Sequence, residues 1–391
     1  MTAAALPQNS SPELRSLIPD ELGRWVARAG EPAYRAQQIF RWLHGRGAVS
    51  LDAMTNLPAT LRAALEREHH TEPLSLDAVQ TAADGTRKLR FRTSDGHPIE
   101  SVLIPDEDAE RGRLTLCISS QVGCALDCGF CATATLGFTR HLLAGEIVEQ
   151  VYRAAALAER RPTNLVFMGM GEPLHNFDQV SRALTLLQHP WGAAFSPRRI
   201  TISTSGLVSG IAKLGALSPA PNLAISLNAT TDEVRSRIMP VNKRWPIAAL
   251  LEAAARFPLS HGRRVTFEYV LLAGVNDSDA DADRLPRLLR DIPSKVNLIP
   301  WNGFAGPGFA RPSAERIRTF QERVRSTGQA VYIRTPRGDD IDAACGQLAA
   351  RTLEGTSPSP ATGSGEPSSA LPTRSAARDL VTLRPWQPTT T

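Results

Sequence analysis

The sequence predicts an α/β fold built on a mostly parallel sheet. Three observations predict it. From Leu114 onward, short apolar runs alternate with amphipathic stretches, the pattern of strand–helix units whose strands lie side by side and parallel. Glycines and polar residues cluster just after the apolar runs, where a (β/α) barrel carries its catalytic rim. The composition, 42% hydrophobic and 21% charged over 391 residues, is ordinary for a globular chain and supplies one large domain or two to three smaller ones.

The first dozen residues carry no pattern and are expected to be flexible. From Pro12 to about Arg67, apolar residues recur at helical spacing: Leu14, Leu17, Leu22, Trp25 and Val26, then Ile39, Phe40 and Leu43, then Leu61 and Leu65. Gly30 and the Gly45–Gly47 stretch punctuate them. This reads as a small helical unit within residues 1–75. Its Arg35, Gln37, Gln38, Arg41 and His44 are either a solvated helix face or a nucleic-acid contact. Residues 76–110 change character. Lys88–Arg92 and Ile99–Ile104 alternate around the turn Ser94-Asp95-Gly96, which predicts a β-hairpin with Glu100 on its second strand.

Residues 111–350 form the main unit. Its predicted strands are Leu114–Ile118, Asn164–Met168, Arg199–Ser203, Asn222–Leu227, Val265–Leu271, Lys295–Ile299 and Ala330–Arg334. Its predicted helices are Ala144–Arg160, Phe177–Gln188, Val208–Leu214, Ile247–Phe257, Asp279–Asp291 and Ser313–Ser326. Beyond Arg351 the composition collapses to Ser, Pro, Thr and Gly, which predicts a disordered tail over 351–391.

The bulk properties bound the function. The net charge is +5, from 44 Lys and Arg against 39 Asp and Glu. That suits a polyanionic partner without requiring one. No signal-peptide pattern opens the sequence, and no apolar run approaches the ~18 residues that span a bilayer. A cytoplasmic protein with no membrane association is expected. Five cysteines, three of them in one loop, argue against a secreted disulfide framework.

That loop is Cys124-Ala125-Leu126-Asp127-Cys128-Gly129-Phe130-Cys131. The C-x3-C-x2-C spacing wraps three thiolates around one inorganic centre. A structural zinc wants four ligands, and a [4Fe–4S] cube also has four corners. Three local cysteines leave one corner open for a small chelating ligand. The alternative is a zinc site that borrows Cys117 or Cys345 as its fourth ligand. Elsewhere, Gly169-Met170-Gly171-Glu172-Pro173 follows a strand. It is either a tight turn or a place where glycines let a ligand near the backbone while Glu172 accepts a hydrogen bond from an ammonium group. Ser203-Thr204-Ser205-Gly206, Ser226-Leu227-Asn228-Ala229 and Pro300-Trp301-Asn302 each end a strand. Such residues cap helices, make Asx turns or bind ligands. Cys117 and Cys345, taken singly, read as small buried hydrophobes.

The cysteine loop resembles the cluster-binding loop of the radical S-adenosylmethionine (SAM) superfamily. The longer run Thr115–Cys124 narrows the resemblance to the bacterial 23S rRNA adenine-C2 methyltransferases, from about residue 12 to about residue 350. The resemblance implies a partial (β/α)6 TIM-like barrel. It implies a [4Fe–4S] cluster on Cys124, Cys128 and Cys131, and SAM held by Gly171, Glu172, Ser203, Ser226, Leu227, Asn228 and Asn302. At Asn228 the family pattern has His, so a proton role there is in doubt. The resemblance further implies Cys345 as a methyl-carrying thiol, Cys117 as its resolving partner and Glu100 as a proton acceptor.

The implied reaction consumes two SAM per turnover. One methylates Cys345. The other is cleaved to a radical that activates the S-methyl group for addition to C2 of an adenine in 23S rRNA or of a tRNA adenosine. Cys117 then releases the product by forming a disulfide with Cys345. A one-electron reductant such as flavodoxin and a monomeric state are expected. RNA contacts are expected around the barrel mouth, with Arg198-Arg199, Lys243-Arg244 and Arg263-Arg264 as candidates. Two alternatives stand beside this reading: methylation of C8 of the same adenine, and a non-enzymatic zinc or iron–sulfur RNA-binding module.

Overall fold

A computed structural model describes residues 13–48, 50–106, 112–304 and 308–348. The expectations for the first dozen residues and for the 351–391 tail lie outside them. The N-terminal unit is helical, as predicted: α1 (Pro19–Arg28), α2 (Tyr34–Phe40) and α3 (Ala59–Glu68). Pro19 opens α1, and the Glu21 carboxylate reaches back to the backbone N–H of Ile18 at 3.0 Å, which satisfies a donor the helix leaves free. Leu22, Trp25 and Val26 of α1 meet Ile39 and Phe40 of α2 in a shared core. After α2 the chain tightens into a π-helical turn over Arg41–Gly45. That turn buries His44 completely and bonds its ring to the Tyr152 hydroxyl at 3.0 Å. Arg35 is spent on Gln38 (2.8 Å) and the Asn56 carbonyl (3.1 Å). His44 is therefore not part of an exposed face, because its imidazole fills the seam against the main unit.

The predicted hairpin is present as β2 (Arg87–Thr93) and β3 (Pro98–Pro105), paired antiparallel. A further strand, β1 (Leu74–Thr81), precedes them and pairs with β2. Only its first residue is buried; the short alternation of Leu74, Leu76 and Ala78 sits on an exposed edge strand. The main unit follows as β4 (Leu114–Cys117), a small hairpin β5 (Gln121–Gly123) and β6 (Phe138–His141), and α4 (Ala144–Leu157). Then come β7 (Asn164–Phe167), α5 (Phe177–Gln188), β8 (Ile200–Thr204), α6 (Val208–Gly215), β9 (Asn222–Ser226), α7 (Asp232–Ile238) and α8 (Ile247–Ala255). The last elements are β10 (Val265–Leu271), α9 (Asp279–Leu289), β11 (Ser294–Pro300), α10 (Ala314–Arg325) and β12 (Val331–Ile333).

These strands join one ten-stranded sheet in the order β1-β2-β3-β4-β7-β8-β9-β10-β11-β12. From β4 onward all neighbours are parallel. Between each consecutive pair of these parallel strands the chain passes through at least one helix, the crossover that parallel pairing demands.

The sheet is curled. Arg334, just past β12, places Nη1 3.8 Å from the Met168 sulfur, just past β7, and 3.6 Å from Glu268 on β10. In a flat sheet β7 and β12 would stand five interstrand steps apart, about 24 Å at roughly 4.8 Å each. One arginine side chain cannot cross that. The parallel strands therefore wrap into an incomplete barrel with its concave side inward. Among the described residues no ladder joins β12 to β1. Side chains lace the two margins instead: Arg337 pairs with Asp84 at 2.9 Å, and Asp340 accepts from the Ala83 N–H at 3.0 Å. No described helix is long and apolar enough to cross a membrane.

Candidate active site

The C-terminal ends of β7 to β11 open into one cleft, the kind of concave rim site in which small ligands bind. Cys124, Cys128 and Cys131 line it with Gly171, Glu172, Ser203, Ser226, Asn228, Asn302 and Cys345. Sequence positions far apart thus meet at one cleft. Three of the expected residues are placed differently. Leu227 is fully buried and offers only its backbone, whose carbonyl accepts from Arg235 at 3.0 Å. Cys117 is buried at the end of β4 and is not among the cleft-lining residues. Glu100 is also buried and off the cleft wall, its carboxylate 3.8 Å from Lys88 Nζ. Lys88 in turn reaches the Asp342 carbonyl at 3.4 Å, so Glu100 is tied to the segment that carries Cys345.

The cysteine loop is held from three sides. Cys124 N–H donates to the Gly137 carbonyl (2.7 Å) across the small hairpin. Gly129 N–H donates to the Ile238 carbonyl (3.0 Å) at the end of α7. Ala132 N–H donates to the Gly346 carbonyl (2.7 Å), which docks the Cys345 segment on the loop. Burial pushes all three loop thiols up, Cys124 to about 12. A bound metal centre reverses this, because it takes the thiolate form. Among the described residues no three His, Cys, Asp or Glu side chains converge on a single ion position. A cube binds one thiolate at each of three corners, and separated sulfurs around one cleft fit it.

The Gly169–Pro173 turn shows why its glycines are there. A Cβ on Gly171, at φ +99°, would stand 2.5 Å from the Gln121 Cβ; one on Gly169 would stand 2.8 Å from the Ile118 carbonyl. The protein's own chain, the Gln121 side chain at Gly171 and the Ile118 backbone at Gly169, makes the close approach. Gln121 accepts from the Glu172 N–H at 2.7 Å and so fixes the turn. The Glu172 carboxylate accepts from Ser205 N–H and Oγ, both at 2.8 Å, and from Leu174 N–H at 3.0 Å. Burial raises its pKa, and the Ser205 bonds pull it back. An ammonium group arriving there restores the charge balance. Asn302 donates to the Cys345 carbonyl at 3.4 Å, while its own Oδ1 is buried with no partner. A buried unsatisfied acceptor on a cleft wall calls for a donor from a ligand. Asn228 sits at φ +57°, a region Asn tolerates better than most residues.

Sequence reasoning missed several supports. Arg235 of α7, fully buried, donates to the carbonyls of Ser205 (2.6 Å), Leu227 (3.0 Å) and Ser226 (3.1 Å) and to Asn242 Oδ1 (2.9 Å). It binds the rims of β8 and β9 together. Trp301 Nε1 donates to the Phe130 carbonyl at 3.1 Å. No spacing signals either, since both act on carbonyls of distant segments. The structure also corrects the basic pairs. Arg198-Arg199 precede β8 and Arg263-Arg264 precede β10, which puts them at the N-terminal ends of the strands, away from the mouth. Arg263 is occupied by Asn222 Oδ1 (2.7 Å). Lys243-Arg244 instead lies between α7 and α8, a few residues after Met239 of the cleft wall.

A partial parallel barrel with three thiols, a buried carboxylate and an orphaned amide around one rim cleft is the architecture of a radical SAM enzyme. Residues 118–285 match the Radical SAM superfamily model, and residues 13–70 match that of the ribosomal RNA large subunit methyltransferase N-terminal domain. The chain is 53% identical over 347 residues to the dual-specificity RNA methyltransferase RlmN of Anaeromyxobacter sp. (strain Fw109-5), covering 87% of this chain and 91% of that one. It is 52% identical to its counterpart in Geobacter sulfurreducens, covering 86% and 91%. A crystal structure of a radical SAM methyltransferase from Sphaerobacter thermophilus superposes with a TM-score of 0.83 at 48% identity, covering 87% of this chain and all of that one. The chain belongs to the RlmN dual-specificity RNA methyltransferase family.

Proposed function

We propose that this enzyme methylates C2 of a specific adenine in 23S rRNA and of a tRNA adenosine through a methyl-cysteine on Cys345. One observation carries the reading: Cys345 lines the same cleft as the three loop cysteines and Glu172. A thiol there stands beside both the methyl source and the site of radical generation. C2 of adenine is not nucleophilic, so a direct polar transfer from SAM is a poor route.

When bound, the cluster on Cys124, Cys128 and Cys131 supplies the electron that cleaves SAM. The residues of the chain do the rest. Gly171, Glu172, Ser203, Ser226, Asn228 and Asn302 hold SAM, with Leu227 contributing backbone. Cys345 Sγ takes a methyl group from a first SAM. A second SAM supplies the radical that removes a hydrogen atom from that methyl, so two are consumed per turnover. The methylene joins C2, one electron passes to a one-electron acceptor of the same class as the reductant, and Glu100 accepts the C2 proton. Cys117 Sγ then attacks Cys345 Sγ. An S–S bond forms, the S–CH2 bond breaks with its electron pair leaving on carbon, and a proton completes the methyl group. The helical unit (1–75) and the Lys243-Arg244 rim contact RNA, the target base leaves its stack, and a flavodoxin-type donor reduces a monomeric enzyme.

The test is the mass of the Cys345 peptide from protein made with its cluster and without oxygen. A methyl on Cys345 is expected. A Cys345 that stays unmodified with added SAM and an intact cluster sinks the route. Nucleoside analysis of treated RNA then separates C2 from C8 methylation.

A further inference from the structure

Cys117 is given a nucleophile's task in a poor setting for one. It is 6% exposed. Burial, reinforced by the negative charge of Cys345, pushes its thiol up to about 12. A buried thiolate needs a compensating cation. Three charged or titratable groups face it: Cys345 from the segment after β12, Glu268 from β10, and Arg334 from the end of β12. On its other side β3 pairs with it through Val102, and there Glu100 stands near Lys88. Arg334 is the one cation of the three that face it.

The geometry agrees. Cys117 pairs with Val166 of β7, and Met168 follows two residues on. Arg334 Nη1 crosses the barrel to lie 3.8 Å from that methionine's sulfur. Its backbone is pinned by the bond from Arg334 N–H to the Leu298 carbonyl at 2.8 Å. On the opposite side, Arg334 and Cys345 line a small cavity beside the main cleft, together with Asn302 and Ala344. The guanidinium thus shares a cavity wall with Cys345 and touches Met168, just past the strand next to Cys117, close enough to act on the charge of both cysteines, with Glu268 3.6 Å away as its counter-charge.

We propose that Arg334 is a positioning residue for the thiol-exchange step, its guanidinium holding the negative charge on Cys117 Sγ as that sulfur attacks Cys345 Sγ. The inference rests on the assignment of Cys117 and Cys345 as the resolving pair.

The step can be isolated from radical chemistry. Cluster-loaded protein is capped on Cys345 as a mixed disulfide with 2-hydroxyethyl disulfide. Cys117 then attacks Cys345 Sγ: the Cys117–Cys345 bond forms, and the Cys345–mercaptoethanol bond breaks with its electron pair leaving as the mercaptoethanol thiolate. Peptide mass follows the rate at pH 8, with Cys117→Ser as the blank. Removing a nearby cation raises a thiol pKa by about 1–3 units. The loss of thiolate is partly offset by its greater nucleophilicity, with a Brønsted slope of about 0.4–0.5. Arg334→Gln is therefore expected to slow closure about 3- to 30-fold, with iron content and melting temperature kept, and Arg334→Lys to recover most of the loss. If Arg334→Gln does not fold, Arg334→Ala with and without added guanidinium ion reads the same effect. Closure as fast in Arg334→Gln as in the parent overturns the proposal, as does equal slowing in the Gln and Lys variants. Absence of closure in the parent overturns the resolving pair itself.

Discussion

Gly171→Ala tests the claim that the turn around Glu172 is shaped by close packing against Gln121. Gly171 sits at φ +99°, and an added Cβ would meet Gln121 at 2.5 Å (Cβ), 2.7 Å (Cγ) and 2.9 Å (N). Two costs follow. A left-handed backbone on an L-residue costs about 1–2 kcal/mol. Overpacking against a buried, backbone-anchored neighbour costs about 1–3 kcal/mol. Together they come to about 2–5 kcal/mol, a large share of a typical stability of about 5–15 kcal/mol. Gln121 cannot simply yield. It accepts from Glu172 N–H at 2.7 Å and faces His141 and His175 at 3.0 and 3.2 Å. Moving it releases the Glu172 turn, so SAM affinity is expected to fall with stability. The control is Gly262→Ala, at φ +75° with nothing within 4 Å of the added Cβ; it bears only the backbone cost. Denaturant unfolding gives both stabilities, and equilibrium dialysis of SAM on the cluster-loaded protein gives the affinity. If the two variants lose equal stability, close approach at Gly171 is not what selects glycine there.

Two further outcomes follow from buried charge. Arg235→Met leaves the carbonyls of Ser205, Ser226 and Leu227 without their donor; it is expected to cost about 1–3 kcal/mol for each buried carbonyl left unsatisfied in unfolding experiments and to weaken SAM binding as the β8 and β9 rims separate. Glu13, buried at the seam between the helical unit and α4, is pushed up to about 8 by burial and then by Glu146. A carboxyl raised in the folded state stabilises fully below its ordinary value and loses that contribution as pH rises to about 8. Glu13→Gln is therefore expected to flatten the pH dependence of stability between pH 5 and 8, with the variant gaining on the parent at pH 8 by a few kcal/mol; an unchanged slope refutes the burial argument.

The sequence made the parallel strands legible because strands buried under helices are continuously apolar, as in Leu165–Phe167 and Leu223–Ile225. It did not show β5, β6 or α7, which are too short to carry a period, nor β1, which is mostly exposed at the sheet edge. In the site, Cys124, Cys128 and Cys131 were legible because one loop must supply all three ligands. Cys117 and Cys345 were legible only through resemblance, since nothing local joins a strand end to a loop so far along the chain. Arg235, Gln121 and Arg334 were not legible at all. Each works by reaching a backbone or sulfur on another element, and curling of the sheet, not spacing, decides those partners.

Asn228 shows how a departure from the family pattern can be judged on structure. Its Oδ1 accepts from the Val270 N–H at 2.8 Å, and its own carbonyl accepts from Asn276 Nδ2 at 2.7 Å. The residue thus ties the β9 rim to β10 from a left-handed backbone, a conformation Asn adopts at lower cost than most side chains. Its Nδ2 donates to the Met239 sulfur at 3.3 Å, so this side chain serves as a structural clasp as well as a wall of the cleft. Asn228→Ala leaves the Val270 N–H unpaired, at about 1–3 kcal/mol, and is expected to lower both stability and SAM affinity. Asn228→His separates clasp from proton transfer: an imidazole nitrogen can accept from Val270, and it adds a group that titrates near neutral pH. If the chemistry needs a proton shuttle at this spot, the His variant should turn over faster than the parent and gain a new inflection in its pH–rate profile. The clasp reading expects neither, because the proton acceptor it assigns is Glu100, on β3.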